Sequence, residues 1–280
     1  MPLSSLAWAP VGGLRQPGAV PVGEERLDGG NTSIVVRVGD TVRRSSGPWT
    51  PVVQELLHHV RGRGFDLAPE PLGLDDAGRE VLRFIPGAAV GSGQPWPAWA
   101  WSDDLLGEAG RAARRYHDAV TSFRPPGAVA WRSGTRALEG GEIVCHNDFA
   151  PYNVVTSGGR LRGLIDWDFA APGTPLWEVA FMAWQWAPLH HPALAELLGW
   201  TQPDAVARRV RLLCDAYGLE DRSALMDTVV QRVDASRRGI LTGASAGDET
   251  FLELEAAGHA DDMAETLRHL EQVRHLLQPW

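Results

Sequence analysis

Hydrophobic residues in the first third of the chain fall in short β-branched runs separated by turn-forming residues. Residues 34–38 and 41–44 form two such runs on either side of a Gly-Asp pair, which predicts a β-hairpin. Residues 80–85 form a third run, which a Pro-Gly pair ends. Between them, residues 51–61 carry apolar side chains at helical spacing, and Thr50 before a proline is a typical N-cap. This pattern predicts a small antiparallel sheet with one helix.

From about residue 100 onward, the apolar residues recur at helical spacing instead. Two acids after Ser102 begin one long amphipathic helix, and residues 176–184 begin a second, strongly apolar one. Two further stripes follow, namely Leu225, Val229 and Val233, and then Met263, Leu267, Leu270 and Leu277. A run of strands followed by a run of helices predicts an α+β fold in two parts.

This change of pattern predicts the domain organisation. Residues 1–24 are rich in proline and glycine and are expected to be irregular. Residues 25–87 are expected to form the sheet-containing N-lobe, and residues 88–280 the mainly helical C-lobe. The Gly- and Pro-rich residues 88–97 would link the two lobes.

The lysine content of the chain excludes two classes of enzyme. All 26 Lys+Arg residues are arginines, so the chain contains no lysine. A P-loop requires its lysine, and a pyridoxal phosphate enzyme requires a lysine for the Schiff base. Both classes are therefore excluded.

The charge and the cysteine content suggest where the protein works and what it binds. A net charge of −9 argues against a general nucleic-acid binder and would suit a cationic small substrate. Two cysteines are too few for a disulfide framework, and no apolar run approaches the length of a membrane span. We therefore expect a cytoplasmic protein with no membrane or nucleic-acid partner. The oligomeric state is left open.

One polar loop carries the strongest chemical signal. The segment after residues 143–145 reads His146-Asn147-Asp148, and Asn153 follows Asp148 by five positions. Thirteen residues beyond Asn153, a short apolar run ends in Asp166-Trp167-Asp168. Phosphoryl transfer requires a carboxylate that orients a hydroxyl, together with an amide and a second carboxylate that hold Mg²⁺. The two motifs supply these groups in the right order.

The His-x-Asp-x-x-x-x-Asn loop and the following apolar-Asp strand resemble those of the aminoglycoside phosphotransferase and choline kinase-like family. The resemblance implies a bilobal protein-kinase-like fold and an activity that transfers phosphate from ATP or GTP, with Mg²⁺, to a small-molecule hydroxyl. It implies that Asp148 is the catalytic carboxylate and that Asn153 and Asp166 hold the metal. Asp168 is a second candidate metal ligand.

The resemblance also places the nucleotide. It implies a phosphate-covering loop at Gly29, Gly30 and Asn31, and a hinge at Arg83, Phe84 and Ile85 whose backbone would meet the base. The basic residue that grips the phosphates corresponds to Arg43. Alternation along the strand puts Arg43 on the site face and turns Arg44 toward solvent.

Other residues are expected to support the site. His146 would fix the backbone of the catalytic loop, and Glu178 would brace that loop from below. A kinase-like helix places an acid against the phosphate-gripping residue, and here Glu55 and Gln54 are both candidates.

The acceptor is the least defined part of the prediction. The acidic charge favours an aminoglycoside-like or other cationic compound, which Asp168 and Asp234 could contact. The family resemblance implies a role in antibiotic resistance or in metabolism. A neutral metabolite, or a catalytically weak nucleotide-binding protein with the same fold, remains an alternative. An Asp-x-Asp phosphatase that uses Asp166 as nucleophile is disfavoured, since no lysine is present to hold the phosphorylated carboxylate.

Overall fold

The computed structural model describes residues 23–27, 35–91 and 93–277. Its first part contains five strands: β1 (Glu25–Arg26), β2 (Val36–Val38), β3 (Thr41–Arg44), β4 (Pro71–Leu74) and β5 (Glu80–Arg83). They form one antiparallel sheet in the order β1-β2-β3-β5-β4. The predicted hairpin is confirmed as β2 and β3. Strand β5 pairs with β3 so that Arg44 lies opposite Glu80, which matters for the site.

Helix α1 (Thr50–Gly62) confirms the single helix predicted in this part of the chain. Its apolar stripe is fully buried, since Val53, Leu56, Leu57 and Val60 are each 0% exposed. The prediction that Thr50 is the N-cap is wrong, because the helix begins at Thr50 and its hydroxyl accepts the backbone N–H of Gly47 at 2.9 Å. The N-cap residue is Trp49, whose side chain makes no capping hydrogen bond.

The second part is mainly helical. Its helices are α2 (Asp103–Val120), α3 (Pro175–Trp186), α4 (Pro192–Leu197), α5 (Val206–Tyr217), α6 (Leu225–Ser245), α7 (Glu249–Ala256) and α8 (His259–Val273). Ser102 caps α2 as predicted, since its hydroxyl accepts the N–H of Leu105 at 3.3 Å. The α+β architecture is therefore confirmed.

Short antiparallel pairs interrupt the helices of the second part. They are β6 (Val129–Trp131) with β7 (Gly134–Arg136), β8 (Ile143–Cys145) with β11 (Ala171–Gly173), and β9 (Val154–Ser157) with β10 (Arg160–Leu164). The polar loop of the sequence motif lies between β8 and β9. The Asp-Trp-Asp segment lies between β10 and β11. These two pairings therefore bring the motifs side by side.

A backbone contact joins the two parts of the chain. Ala88 and Thr156 exchange both backbone hydrogen bonds at 2.8 Å, so the segment after β5 lies against β9. Gly87 precedes this contact with φ of 155°, and a Cβ there would collide with the carbonyl oxygen of Thr156. A glycine is required for the chain to pass β9 this closely. No helix in the described part of the chain is both long and apolar enough to cross a bilayer.

Candidate active site

The catalytic-loop residues and the Asp-Trp-Asp segment are held together through backbone contacts. The N–H of Ile165 donates to the carbonyl oxygen of Asn153 at 2.9 Å. His146 is buried between the two segments: its Nδ1 accepts the N–H of Asp148 at 3.2 Å, so Nε2 carries the hydrogen and donates to the oxygen of Ile165 at 3.0 Å. Burial lowers the pKa of His146 and keeps the ring neutral. His146 thus joins the two motifs, in the position predicted for it.

Two non-glycine residues of these segments have left-handed backbone. Asn147 has φ of 63° and Asp166 has φ of 61°. Asn and Asp tolerate this region better than other residues do, but it still costs energy. The Asn147 side chain offsets that cost by donating to the carbonyl oxygens of Phe169 and Ala171, both at 3.2 Å. Strained backbone held by its surroundings is typical of functional sites.

Both oxygens of the Asp148 carboxylate are engaged within the loop. Tyr152 donates its hydroxyl to Oδ1 at 2.8 Å, and Asn153 donates Nδ2 to Oδ2 at 2.7 Å. Burial raises the pKa of Asp148 to about 7, and the negative charge of Asp166 adds to the effect. Sequence reasoning missed Tyr152, although its place between Asp148 and Asn153 could have suggested it.

Arg44 connects the sheet to the Asp-Trp-Asp segment. Its Nε donates to Glu80 at 2.6 Å, its Nη1 to Asp166 at 3.0 Å, and its Nη2 to Asp168 at 2.7 Å. Burial alone would lower the pKa of Arg44, but the three carboxylates raise it on balance. Trp49 donates its indole N–H to the same oxygen of Asp168 at 3.0 Å.

The prediction that Arg43 faces the site and Arg44 faces solvent is wrong. Arg43 lies on the other face of β3, with Nη1 at 3.7 Å from Asp75. Alternation alone does not say which face of a strand meets the rest of the protein. The pairing with β5 decides it, because Arg44 and Glu80 are opposite neighbours on the face toward Asp166 and Asp168.

The prediction that Glu55 on α1 meets the arginine is also wrong, because Glu55 is exposed to solvent. The acid that meets the arginine is Glu80, which comes from a strand and is 1% exposed. Gln54 lies behind it and donates Nε2 to the other Glu80 oxygen at 2.7 Å. The acidic partner of the arginine therefore comes from β5, and a residue of α1 holds it in place.

Glu178 lies beneath the catalytic loop, as the sequence predicted. Its Oε1 accepts the N–H of Asn147 at 2.8 Å, and its Oε2 lies 2.8 Å from Nε2 of His117. His117 in turn lies 2.7 Å from the hydroxyl of Tyr217 on α5. These three buried side chains connect the strained residue Asn147 to helices α3, α2 and α5.

The predicted nucleotide residues are distributed differently. Gly29, Gly30 and Asn31 lie outside the described residues. The backbone N–H of Arg83 donates to the carbonyl oxygen of Glu70 at 2.9 Å, and the backbone N–H of Phe84 donates to the carbonyl oxygen of Asp40 at 2.8 Å. These two amides therefore do not offer donors to a base. The Arg83 side chain pairs with Glu70 and Asp40 as well. Ile85 and the residues after it are the part of this hinge that could meet a base edge.

A cavity of about 960 Å³ opens beside the catalytic loop. Asp148, Asn153 and Asp166 form part of its wall, and helices α3, α6, α7 and α8 form much of the rest. The aromatic residues of the wall are Trp96, Tyr152, Phe169, Trp177, Phe181, Trp184 and Phe251. Asp234 is not part of the wall and pairs instead with Arg238 at 2.9 Å. A volume of this size holds a drug-sized molecule.

The oxygen atoms around this end of the cavity suit a hard divalent cation. Asp168 uses Oδ1 for Arg44 and Trp49, and Asn153 turns its nitrogen to Asp148, so Asp168 Oδ2 and Asn153 Oδ1 accept no hydrogen bond from the described residues. Asp166 is half-exposed on the same side. Among the described residues no cluster of three or more His, Cys, Asp or Glu forms a metal site, so an amide oxygen would be needed to complete this one. Carboxylate and amide oxygens are the ligands that Mg²⁺ prefers.

Known proteins resemble this chain in sequence and in fold. Residues 97–213 match the model of the phosphotransferase enzyme family. The trifolitoxin immunity protein of Rhizobium leguminosarum bv. trifolii is 38% identical over 210 residues, which cover 73% of this chain and 78% of that protein. The chain belongs to the phosphotransferase enzyme family.

The structure of this family member also resembles solved structures over nearly the whole chain. A choline/ethanolamine kinase family protein from Mesorhizobium loti aligns with a TM-score of 0.52 and 18% identity over 95% of this chain and 98% of that one. The GDP complex of aminoglycoside 2'-phosphotransferase-IIIa aligns with a TM-score of 0.52 and 15% identity over 90% and 92% of the two chains. The predicted protein-kinase-like fold is therefore confirmed, and membership of the family supports a kinase-type enzyme.

Proposed function

We propose that this protein transfers the γ-phosphoryl group of ATP or GTP to a hydroxyl group of a small molecule. The observation that carries the proposal is the position of Asp148, Asn153 and Asp166 together in the wall of one large cavity. The cavity offers room for an acceptor next to a carboxylate that can take its proton.

Asp148 has the properties of the base in this reaction. The acceptor oxygen forms a bond to the γ-phosphorus while the bond to the β,γ-bridging oxygen breaks, and the hydroxyl proton passes to Asp148. ADP or GDP then leaves. A pKa of about 7 suits proton transfer near neutral pH. Tyr152 and Asn153 orient the carboxylate by their hydrogen bonds.

Asn153, Asp166 and Asp168 would hold Mg²⁺, which would neutralise charge on the donor phosphates. We propose that Arg44, and not Arg43, is the arginine of β3 that supports this metal centre. It contacts both Asp166 and Asp168 and so fixes the two carboxylates in position. The loop at Gly29, Gly30 and Asn31 remains our proposal for the part of the chain that covers the phosphates.

The wall of the cavity suits an acceptor with a large apolar surface. Seven aromatic residues line it, together with Arg132, Arg232 and Arg238 and with the carboxylates of Asp148, Asp166, Asp248 and Asp262. Asp248 is engaged by the backbone N–H of Thr250 at 3.0 Å and by Arg132 at 3.4 Å. Because the wall carries charges of both signs, it does not by itself favour the cationic acceptor that the net charge suggested.

The name of the immunity protein indicates protection of a cell from trifolitoxin. On that basis, we propose that the acceptor is a toxic compound and that phosphorylation inactivates it.

Consumption of ATP and of GTP should be measured with Mg²⁺ across aminoglycosides, amino alcohols and neutral hydroxyl compounds. We expect at least one compound to be converted to a phosphate monoester. Nucleotide binding without turnover of any compound would instead support the catalytically weak protein with the same fold.

A further inference from the structure

Buried polar atoms without a hydrogen-bond partner concentrate in the wall of the cavity. Among the described residues, five side chains of the wall contain such an atom: Gln94, Asn147, His190, Arg232 and Asp262. A buried polar atom left unpaired costs about 1–3 kcal/mol. Atoms of this kind in a ligand-sized cavity are those that a ligand would satisfy.

Two of the five come from neighbouring positions away from the catalytic loop. His190 lies in the connection between α3 and α4, and Asp262 lies in the first turn of α8. The adjacent residue, His191, ties the two elements together, since its N–H donates to Thr266 on α8 at 3.2 Å and its Nε2 lies 3.3 Å from Asp262 Oδ1.

His190 lines the cavity and carries a neutral hydrogen-bond donor. Trp184 donates its indole N–H to Nδ1 of His190 at 3.1 Å, so Nε2 carries the hydrogen. Nε2 has no partner among the described residues, although the residue is only 6% exposed. Burial, together with the nearby His191, lowers the pKa of His190 to about 3. The ring therefore stays uncharged at all ordinary pH values.

Asp262 presents the complementary acceptor. Its Oδ1 faces His191, and its Oδ2 is buried without a partner among the described residues. A donor and an acceptor thus come from two residues of the cavity wall whose segments are joined by the contacts of His191.

We propose that His190 Nε2 and Asp262 Oδ2 bind a secondary amide of the acceptor, the amide oxygen accepting from His190 and the amide N–H donating to Asp262. The inference rests on the proposed function and narrows its acceptor to a hydroxyl compound that carries an amide.

Other groups satisfy this pair less well. An ester would accept from His190 but would leave Asp262 unpaired. An ammonium group would pair with Asp262 but would leave the neutral donor of His190 unpaired. A carboxylate would be repelled by Asp262. A group with a carbonyl and an N–H next to each other satisfies both residues from two separate atoms, whereas a hydroxyl group would have to bond both residues through one oxygen. Sites built to bond a donor discriminate strongly against analogues that lack it.

The test uses matched compounds, because the natural acceptor is not needed for it. A series of 4-(hydroxyalkyl)-N-methylbenzamides of increasing chain length is compared with the corresponding methyl benzoates. Each pair differs only by the N–H, and the aryl ring suits the aromatic wall. Binding to the full chain is measured by calorimetry, and phosphorylation is measured with Mg²⁺ and ATP or GTP. We expect at least one amide to bind about 10-fold or more tightly than its ester.

Variants distinguish recognition at this site from a general preference. Asp262→Asn should remove most of the preference for the amide, since the new side chain can also donate to the ester oxygen. His190→Phe should weaken both members of a pair. Asp261→Asn, an exposed neighbour on α8 outside the cavity wall, is the matched control and should keep the preference. Thermal unfolding of each variant checks that it is folded.

Equal binding of amide and ester by the unaltered chain, or binding of neither, would overturn the assignment. Retention of the amide preference in Asp262→Asn would overturn it as well. The binding measurement does not depend on turnover. Selective binding of amides without phosphorylation would therefore support this site while contradicting the proposed function.

Discussion

The two sides of the cavity differ in how their polar groups are partnered. On the catalytic side, Arg44 meets three carboxylates and Asp148 accepts two hydrogen bonds, so nearly every charge has a partner within the chain. On the side formed by α8 and the α3–α4 connection, His190 and Asp262 keep unpartnered atoms. The charged side chains of the catalytic side are thus largely held in place by partners within the chain, which suits chemistry that needs preorganised charge. On the other side, the proposed partner of the unpaired atoms is the ligand itself.

The largest effect is expected at the catalytic carboxylate. Asp148→Ala should lower the rate of transfer by about 10³-fold or more, because it removes the proton acceptor beside the reacting hydroxyl. Nucleotide binding should persist, since Asp166 and Arg44 are unchanged. Steady-state kinetics and nucleotide titration measure the two properties separately. Asp118→Ala, which changes an exposed carboxylate on α2, is the control and should have near-normal activity.

Arg44 and Arg43 are neighbours on β3, and replacing each one tests whether the carboxylates of the catalytic side depend on their ion pairs with Arg44. Arg44→Met should lower the free energy of unfolding by about 3 kcal/mol or more, because it leaves buried Glu80 and its neighbours without their counter-charge. Arg43→Met should cost less than about 1 kcal/mol, since Arg43 has only a longer contact with Asp75. Urea unfolding measures both. Equal losses would mean that the carboxylate cluster does not depend on Arg44.

The raised pKa of Asp148 predicts a pH-dependent stability. The pKa rises from 3.8 to about 7 on folding, so the folded state holds the proton more tightly than the unfolded state does. The stability from this group is fully present below pH 4 and is lost as the pH rises through about 7. Without divalent cations, the unaltered chain should therefore lose about 2–3 kcal/mol relative to Asp148→Asn between pH 5 and pH 8. A constant difference across this range would contradict the raised pKa.

The smallest effect separates the two candidate braces on α1. Gln54→Ala should lower the free energy of unfolding by about 1 kcal/mol, because it removes a hydrogen bond to buried Glu80. Glu55→Ala should be close to neutral, because Glu55 is exposed. Thermal or urea unfolding of both variants distinguishes them. A larger loss for Glu55→Ala would mean that the acid on α1, not Glu80, supports the site.

The same contrast explains how much the sequence could predict. The catalytic side is built from the β9–β10 hairpin and the β8–β11 pair that encloses it in sequence, so the order and spacing of Asp148, Asn153 and Asp166 were enough to bring them together. Which arginine of β3 faced them depended on the pairing of β3 with β5, which alternation alone does not specify. Glu80 was missed for the same reason.

The other side of the cavity left no signal along the chain. His190 and Asp262 are 72 positions apart, and each looks ordinary in its own segment. Only the packing of α8 against the α3–α4 connection places them together. Residues gathered by long-range helix packing have no fixed spacing, so a site made from them is visible only in three dimensions.

The most direct test of the proposed activity follows the γ-phosphate itself. A nucleotide labelled on that phosphate is mixed with Mg²⁺, an acceptor identified in the panel, and either the unaltered chain or Asp148→Ala. The label should pass to the acceptor in a single turnover with the unaltered chain, and should stay on the bound nucleotide with Asp148→Ala. Label released as inorganic phosphate at the same rate with and without acceptor, or transferred equally fast by both proteins, would contradict a phosphotransferase centred on Asp148.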